Sequence, residues 1–258
     1  SDVNGLDKVA ALAIKPMSSD GLSKAVKVIT DHNYTVIARG GATSYTGGVI
    51  PDRNNSVVID TSALNNIIEI NTKDMYVTVE SGITWKALHE ALSKTDVRTP
   101  FWGPLSGARA TVGGAVSQNA ILWGSTSHDV SASSVLSVEV VLADGTILNT
   151  GSAGSGLKPF FRNYGPDLTG IFLGDTGALG IKTKVTLRLI HRPKKVDFLS
   201  FNFNERSKIS RALQTISREG VASTCFGMDP VLQHQRIKRA SMAKGVKAIK
   251  SMLASADN

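Results

Sequence analysis

Apolar and polar positions change their period along the chain, and each change marks an element. Val9 to Ile14 is a short apolar run closed by Pro16, which predicts a strand. Ser18 and Ser19 can cap a following helix whose apolar stripe is Leu22, Ala25, Val26 and Ile29. That helix ends at Asp31-His32-Asn33, with His32 read as a capping or surface histidine. Tyr34 to Ala38 and Val57 to Asp60 read as strands, the second expected to be buried on both faces. A strand–helix–strand unit of this length predicts a parallel pair with a right-handed crossover. Ile67 to Ile70 and Tyr76 to Val79, joined by Asn71-Thr72-Lys73-Asp74, predict a hairpin. Thr84 caps a helix carrying Trp85, Leu88, Ala91 and Leu92 on one side. Asp144-Gly145, between Val135 to Leu142 and Ile147-Leu148, is the best short hairpin signal in the chain. Gly151 to Gly156 is expected to be flexible, and Phe160, Phe161, Leu168, Ile171 and Phe172 to be packing residues of short helices. Ile181 to Leu189 alternates strongly and predicts a strand. Beyond Pro193-Lys194-Lys195 a new unit starts: a strand from Val196 to Phe203, a helix from Glu205 to Arg218, and a further strand from Ala222 to Met228.

Between these elements the chain turns to glycine and small residues. The run Val36 to Ala38 stops at Arg39 and gives way to Gly40-Gly41-Ala42-Thr43-Ser44, with Gly47-Gly48 close behind. Glycine lets backbone approach a ligand closely, and consecutive free N–H groups in such a turn attract anions, phosphate above all. Taken alone, the cluster reads as a Gly-rich turn between strands. Two further clusters, Ala110-Thr111-Val112-Gly113-Gly114-Ala115 and Gly174 to Gly180, strengthen the binding reading. No Gly-x-Gly-x-x-Gly stands at the first loop, no Lys-Ser or Lys-Thr follows its glycines, and no helical pattern comes after it, which disfavours a Rossmann domain or a P-loop. Thr99 to Gly107 holds two prolines and two glycines and cannot be regular structure. Ala115 to Ala120 is small and uncharged, as expected where backbone lies flat against a bulky planar ligand, and Trp123 to Asp129 reads as another loop.

Composition narrows the classes. A chain of 258 residues with 41% hydrophobic and 19% charged residues is an ordinary globular composition, sized for one large domain or one domain and part of another. Cys225 is the single cysteine, so no internal disulfide or cysteine metal cluster is expected, and no metal site is assigned. A net charge of +8 invites a nucleic-acid reading, yet the basic concentration from Gln233 to Arg239 with Lys244, Lys247 and Lys250 has no aromatic platform. It reads as a solvated helix face, and the charge also suits an anionic cofactor or substrate. No apolar run can cross a membrane and no signal pattern opens the chain, so a cytoplasmic or membrane-peripheral location is expected.

Five segments in order, Arg39-Gly-Gly-Ala-Thr-Ser44, Val79-Glu-Ser-Gly82, Ala110-Thr-Val-Gly-Gly114 with Asn119-Ala120, Val138-Glu-Val-Val141 with Ala143-Asp-Gly145, and Gly177-Ala-Leu-Gly-Ile181, resemble the FAD-binding domain of the vanillyl-alcohol oxidase / p-cresol methylhydroxylase-type flavoproteins. The branch it is most similar to holds glycolate oxidase flavin subunits, D-lactate dehydrogenases and alkyldihydroxyacetonephosphate synthases. The resemblance implies an α+β fold of two subdomains across residues 1–193, one a small parallel β-α-β unit and the other a larger mixed or antiparallel sheet with helices. Residues 194–258 then resemble the start of an α+β substrate or cap domain.

It also implies a site for FAD. Arg39, Gly40, Gly41, Ala42, Thr43 and Ser44 would cradle the pyrophosphate, and Thr111, Val112, Gly114 and Ser117 would line the flavin and ribityl side. Gly180 and Ile181 would close over one edge, and Pro104, Leu105, Gln118, Asn119 and Ala120 fall where the family also touches FAD. Members with a histidine-linked flavin carry that histidine at the position of Thr43, so non-covalent FAD is implied. Departures from the family pattern are Ala42, Asp175-Thr176 and Lys182, the last of which could face the cofactor phosphates or solvent. The implied activity is oxidation of a small anionic 2-hydroxy acid by hydride transfer to flavin; a synthase using FAD without net redox turnover, or a flavin-binding module, are the alternatives. The base and the carboxylate-holding cations come mostly from the cap domain in the resembled family, so no catalytic residue is named here. His128, the histidine nearest the flavin segment, is read as structural.

Overall fold

Ser18 accepts a hydrogen bond from Gly21 N at 3.1 Å and starts a helix, α1 (Ser19–Asp31), that buries Leu22, Val26 and Ile29. The computed structural model describes residues 8–232, 234 and 235. Helix α1 joins β1 (Leu12–Ile14) to β2 (Thr35–Arg39), and β3 (Ser56–Asp60) follows the first glycine loop. All three strands are parallel, but β3 lies between the other two, in the order β1-β3-β2. The expected parallel relation therefore holds without direct pairing. The four-residue run Ser56 to Ile59 is buried throughout and takes the doubly covered middle position.

The second sheet is antiparallel, in the order β4-β5-β9-β7-β8, from β4 (Ile67–Asn71), β5 (Tyr76–Glu80), β7 (Val135–Val141), β8 (Ile147–Asn149) and β9 (Ile181–Arg188). Both predicted hairpins form, β4 with β5 and β7 with β8. Helix α2 (Trp85–Leu92) is capped by Thr84, whose Oγ1 accepts from Ala87 N at 3.1 Å, and buries Trp85, Leu88 and Leu92. Trp85 meets Phe101 edge to face at 5.0 Å inside the main core, which also takes Val77, Val79, Val138, Val185 and Leu187 from the sheet. Truncating a buried aromatic of this kind costs about 3–5 kcal/mol. A short ribbon, β6 (Val97–Arg98) with β10 (Ile190–His191), closes one side.

The two sheets share a second core. Leu22, Val26 and Ile29 of α1 pack with Val57 and Ile59 of β3 and with Val141 and Ile181 at the ends of β7 and β9. Polar ties follow the same seam: Ser19 Oγ donates to Glu139 at 2.6 Å and Thr30 Oγ1 to the Ala143 carbonyl at 2.7 Å. Burial pushes the Glu139 carboxyl up, but hydrogen bonds from Lys184, Ser19 and Thr183 outweigh it and hold the group below its ordinary range.

Several expectations meet a different outcome. Val112–Ser117 forms a short helix, α3, where flat backbone was expected, because the Thr111 side chain caps it. Helix α4 (Ser125–His128) interrupts the loop expected from Trp123, and Gly151–Ser155 is a 3-10 turn with Ser152 buried rather than a flexible stretch. Among the aromatic and aliphatic packing residues near α5 (Leu168–Ile171), Phe172 is buried while Phe160, Phe161, Leu168 and Ile171 are about half exposed.

The chain divides into two units, Ser1–Leu199 with Ala222–Thr224, and Ser200–Val221 with Cys225–Asn258. In the second, α6 (Arg206–Glu219) forms as expected, with Ile209, Leu213 and Ile216 half-buried and Gly227 against Ile209 and Leu213. Neither expected strand forms among the described residues. Val196 to Phe203 has no pairing partner there, and Ala222 to Thr224 spends its polar groups on α4 instead: Gly124 N donates to Thr224 Oγ1 at 2.8 Å and Ser127 Oγ to the Ala222 carbonyl at 2.9 Å. The basic concentration beyond Gln235 lies outside the described residues, as does Gln233. No helix among the described residues is long and apolar enough to cross a membrane.

Candidate cofactor crevice

The three glycine clusters, the first and last more than a hundred residues apart, meet at one crevice of about 980 Å³, counted with its open mouth. The loop leaving β2 is pressed onto the segment before α3. A Cβ at Gly40 would collide with the Thr111 hydroxyl, and one at Gly41 with the Arg109 carbonyl, so both positions need glycine for the approach. Thr111 Oγ1 caps α3 by accepting from Gly114 N at 3.2 Å. The third cluster is tied to the end of α3 by main-chain bonds, Gly174 N to the Val116 carbonyl at 2.9 Å and Thr176 N to the Ser117 carbonyl at 2.8 Å. Gly113 packs on Ser81, where a side chain would strike the Ser81 Cβ at 2.6 Å. Convergence is thus enforced by backbone packing.

Polar groups are left available in this hollow. Among the described residues, nothing accepts from the N–H of Gly41, Ala42, Thr43 or Ser44. The Ser81 hydroxyl is buried without a hydrogen-bond partner and belongs to a residue lining the crevice. Buried polar groups in a native fold are nearly always satisfied, so an orphan at a crevice wall points to a ligand. Ala42 sits at φ 50°, the left-handed region that glycine favours.

One charged pair completes the wall. Lys182 Nζ donates to Asp175 Oδ1 at 2.7 Å, with the two side chains only 2% and 3% exposed. Burial pulls Lys182 below the ordinary lysine range while Asp175 works against that pull. Asp175 also accepts from Gly177 N at 3.0 Å and Leu179 N at 3.3 Å, so it braces the third glycine turn as well as the lysine. Lys182 lines the crevice rather than facing solvent.

Of the residues expected at a cofactor site, Arg39, Gly40, Gly41, Ala42, Thr43, Ser44, Pro104, Thr111, Gly114, Ser117, Gln118 and Ala120 line the crevice. Five do not. Leu105 is 62% exposed, Val112 is fully buried in the main core, and Ile181 is buried in the second core opposite Val141. The Asn119 carboxamide turns away to accept from Ala132 N at 3.3 Å, and Gly180 packs on Val140 and Val141. Ser81, Gly113, Thr176, Gly177 and Lys182 line it without having been singled out as contacts. Ser81, Gly113 and Gly177 lie inside the very segments that carried the resemblance, and Thr176 and Lys182 were among its visible departures. His128 is not among the lining residues.

A long anionic group with a flat head fits this chemistry: free amides at one loop, glycine-bared backbone opposite, a buried hydroxyl without a partner and an adjacent ammonium. The sequence pattern of the FAD binding domain family matches residues 10–151, and the chain belongs to that family. It therefore carries an FAD site. The chain is 33% identical over 186 residues to a probable mitochondrial D-lactate dehydrogenase of Danio rerio, covering 72% of this chain and 36% of that protein. It is 30% identical over 205 residues to the glycolate oxidase subunit GlcD of Bacillus subtilis, covering 79% and 41%. The fold is that of p-cresol methylhydroxylase, crystallised with substrate bound: TM-score 0.66, 21% identity, 79% of this chain and 40% of that one. The chain spans well under half the length of these relatives.

Proposed function

We propose that this chain is the cofactor-holding part of an FAD-dependent oxidoreductase that oxidises a small 2-hydroxy acid of the D-lactate or glycolate kind, with FAD held non-covalently. The observation that carries the cofactor half is the meeting of three glycine clusters around free main-chain amides and the unpartnered Ser81 hydroxyl. The substrate half rests on the names of the relatives.

Bound flavin supplies the hydride acceptor. The amides of Gly41 to Ser44 hold pyrophosphate oxygens, since aligned N–H groups bind anions without a formal charge. Gly113, by packing on Ser81, and Gly114, by packing on the Thr111 hydroxyl, set the start of α3 as a wall of the crevice against which the cofactor would lie. Lys182, kept in place by Asp175, adds positive potential to the wall, and Thr43, which cannot make the histidine link, leaves the cofactor exchangeable. Among the described residues the crevice lining holds no carboxylate or histidine, so no base for the hydroxyl proton of a hydroxy acid is assigned there.

The test is anaerobic mixing of the FAD-loaded protein, expressed with all contiguous coding sequence, with a panel of D- and L-2-hydroxy acids. Loss of oxidised-flavin absorbance with D-lactate or glycolate is the expected result. Flavin that stays oxidised with every acid sinks the proposed substrate class and favours a transferase in which FAD undergoes no net turnover.

A further inference from the structure

At and beside the β6–β10 ribbon, three arginines that do not line the crevice come together without an ion-pair partner among the described residues. The register sets Ile190 opposite Arg98. Arg188 and Arg192 lie two residues to either side of Ile190, and residues two apart in extended chain share a face. Arg188 and Arg192 are thus each a diagonal neighbour of Arg98 on one face. Arg98 is 91% buried and its guanidinium lies 4.3 Å from the ring centroid of Trp102. Its Nη1 reaches only long contacts to the carbonyls of Thr99 at 3.5 Å and Pro100 at 3.4 Å. Arg192 Nη2 donates to the carbonyls of Leu92 at 3.0 Å and Val97 at 3.2 Å. The Nε atoms of all three arginines are buried and, among the described residues, have no hydrogen-bond partner.

Among the described residues, no carboxylate pairs with these three arginines. The arginine ion pairs among the described residues are Arg53 with Asp52 and Arg162 with Asp167, and none of the three takes part in one. The adjacent acid, Asp96, is exposed and turned toward His191 at 4.0 Å. Taking a guanidinium out of water is costly unless an opposite charge accompanies it, and grouping like charges adds to the cost. Guanidinium forks are also the group best matched to planar carboxylate and to phosphate oxygens.

We infer that Arg98, Arg188 and Arg192 form a receptor for a small oxyanion, a carboxylate or a phosphate group, which supplies the missing counter-charge. Arg188 and Arg192 are half-buried and give access, while Arg98, stacked on Trp102, is the fixed back wall. His128 stands beside the cluster: burial first, then the charges of Arg98 and Arg188, pull its imidazole below the ordinary histidine range. An anion seated among the arginines relieves the last two effects, so the His128 ring becomes a reporter of occupancy. This inference does not rest on the flavin reading, and its readouts are independent of flavin.

The experiment uses the FAD-loaded chain with labelled histidine, its His128 signal assigned by His128→Asn. D-lactate, oxalate and inorganic phosphate are titrated at constant ionic strength set with chloride, and binding is read from the ring shift and from the pH at which His128 titrates. Expected is saturable binding of at least one oxyanion, a rise in the His128 titration point on saturation, and about tenfold weaker binding in Arg188→Gln. A response to lactate or oxalate alone identifies a carboxylate site, and a response to phosphate alone a phosphate site. Should none of the oxyanions act differently from chloride, or should Arg188→Gln bind with undiminished affinity, the inference is overturned. Arg188→Gln alters a half-buried side chain; if it fails to fold, Arg192→Lys, which keeps charge but loses the fork, is held to the same weakening.

Discussion

The two sides of the crevice are made by opposite means. The side from Gly40 to Ser44, against Arg109 to Thr111, owes its shape to side chains that are missing: Gly40 leaves just enough room for the Thr111 hydroxyl and Gly41 for the Arg109 backbone. The side at Asp175 and Lys182 owes its character to side chains that are present, charged and almost wholly buried. A wall of the first kind tolerates no addition, because backbone cannot yield. A wall of the second kind tolerates paired replacement but not the loss of one member, because the cost lies in an uncompensated charge.

This contrast can be broken or sharpened by substitution. The largest effect is expected from Asp175→Ala, which strands Lys182 and costs about 3–5 kcal/mol in urea unfolding; the double change with Lys182→Met recovers most of that stability while weakening FAD. Gly41→Val comes next, at about 1–3 kcal/mol or more from overpacking, and no second-site apolar change rescues its flavin content. Glu139→Gln removes about 1 kcal/mol at neutral pH. The Glu139 carboxyl titrates lower in the native state than its ordinary value of 4.5, so its contribution is complete above that value and is lost as pH falls through the lowered native one. Unfolding curves taken at decreasing pH should therefore drop less steeply in Glu139→Gln than in the native chain. Smallest, and opposite in sign, is Ala42→Gly, which relieves a left-handed alanine and stabilises by about 1 kcal/mol. A loss of stability in that variant would show that the Ala42 methyl makes a contact worth more than its strain.

Much of the fold was legible because local signals agreed with it. Ser18, Thr84 and Asp144-Gly145 each announce an element that forms where they say, since a cap or turn acts within four residues. Non-local facts were not. Nothing in the periodicity of β1, β2 and β3 states that the third inserts between the first two. Strand β9 and the stretch from Val196 to Phe203 both read as strands, yet β9 pairs on both edges with β5 and β7 while the later stretch pairs with nothing among the described residues. Alternation reports which face an element can bury; it does not report whether a partner edge exists. The crevice was legible as glycine loops but not residue by residue. Leu105, Val112, Asn119, Gly180 and Ile181 occupy the right segments with side chains or backbone turned elsewhere. The Asp175–Lys182 pair was visible only as two separate departures from a pattern, and their coupling needed coordinates.

Flavin content of the purified chain probes the central claim most directly: FAD is added, free cofactor is removed, and flavin absorbance is compared with protein concentration for the native sequence and for Gly41→Val. The native chain should retain an equimolar amount of flavin, and Gly41→Val should retain little while keeping a native far-ultraviolet circular dichroism spectrum. A colourless native chain, or a Gly41→Val protein that holds flavin as well as its parent, would contradict the view that converging glycine-bared backbone builds the cofactor site.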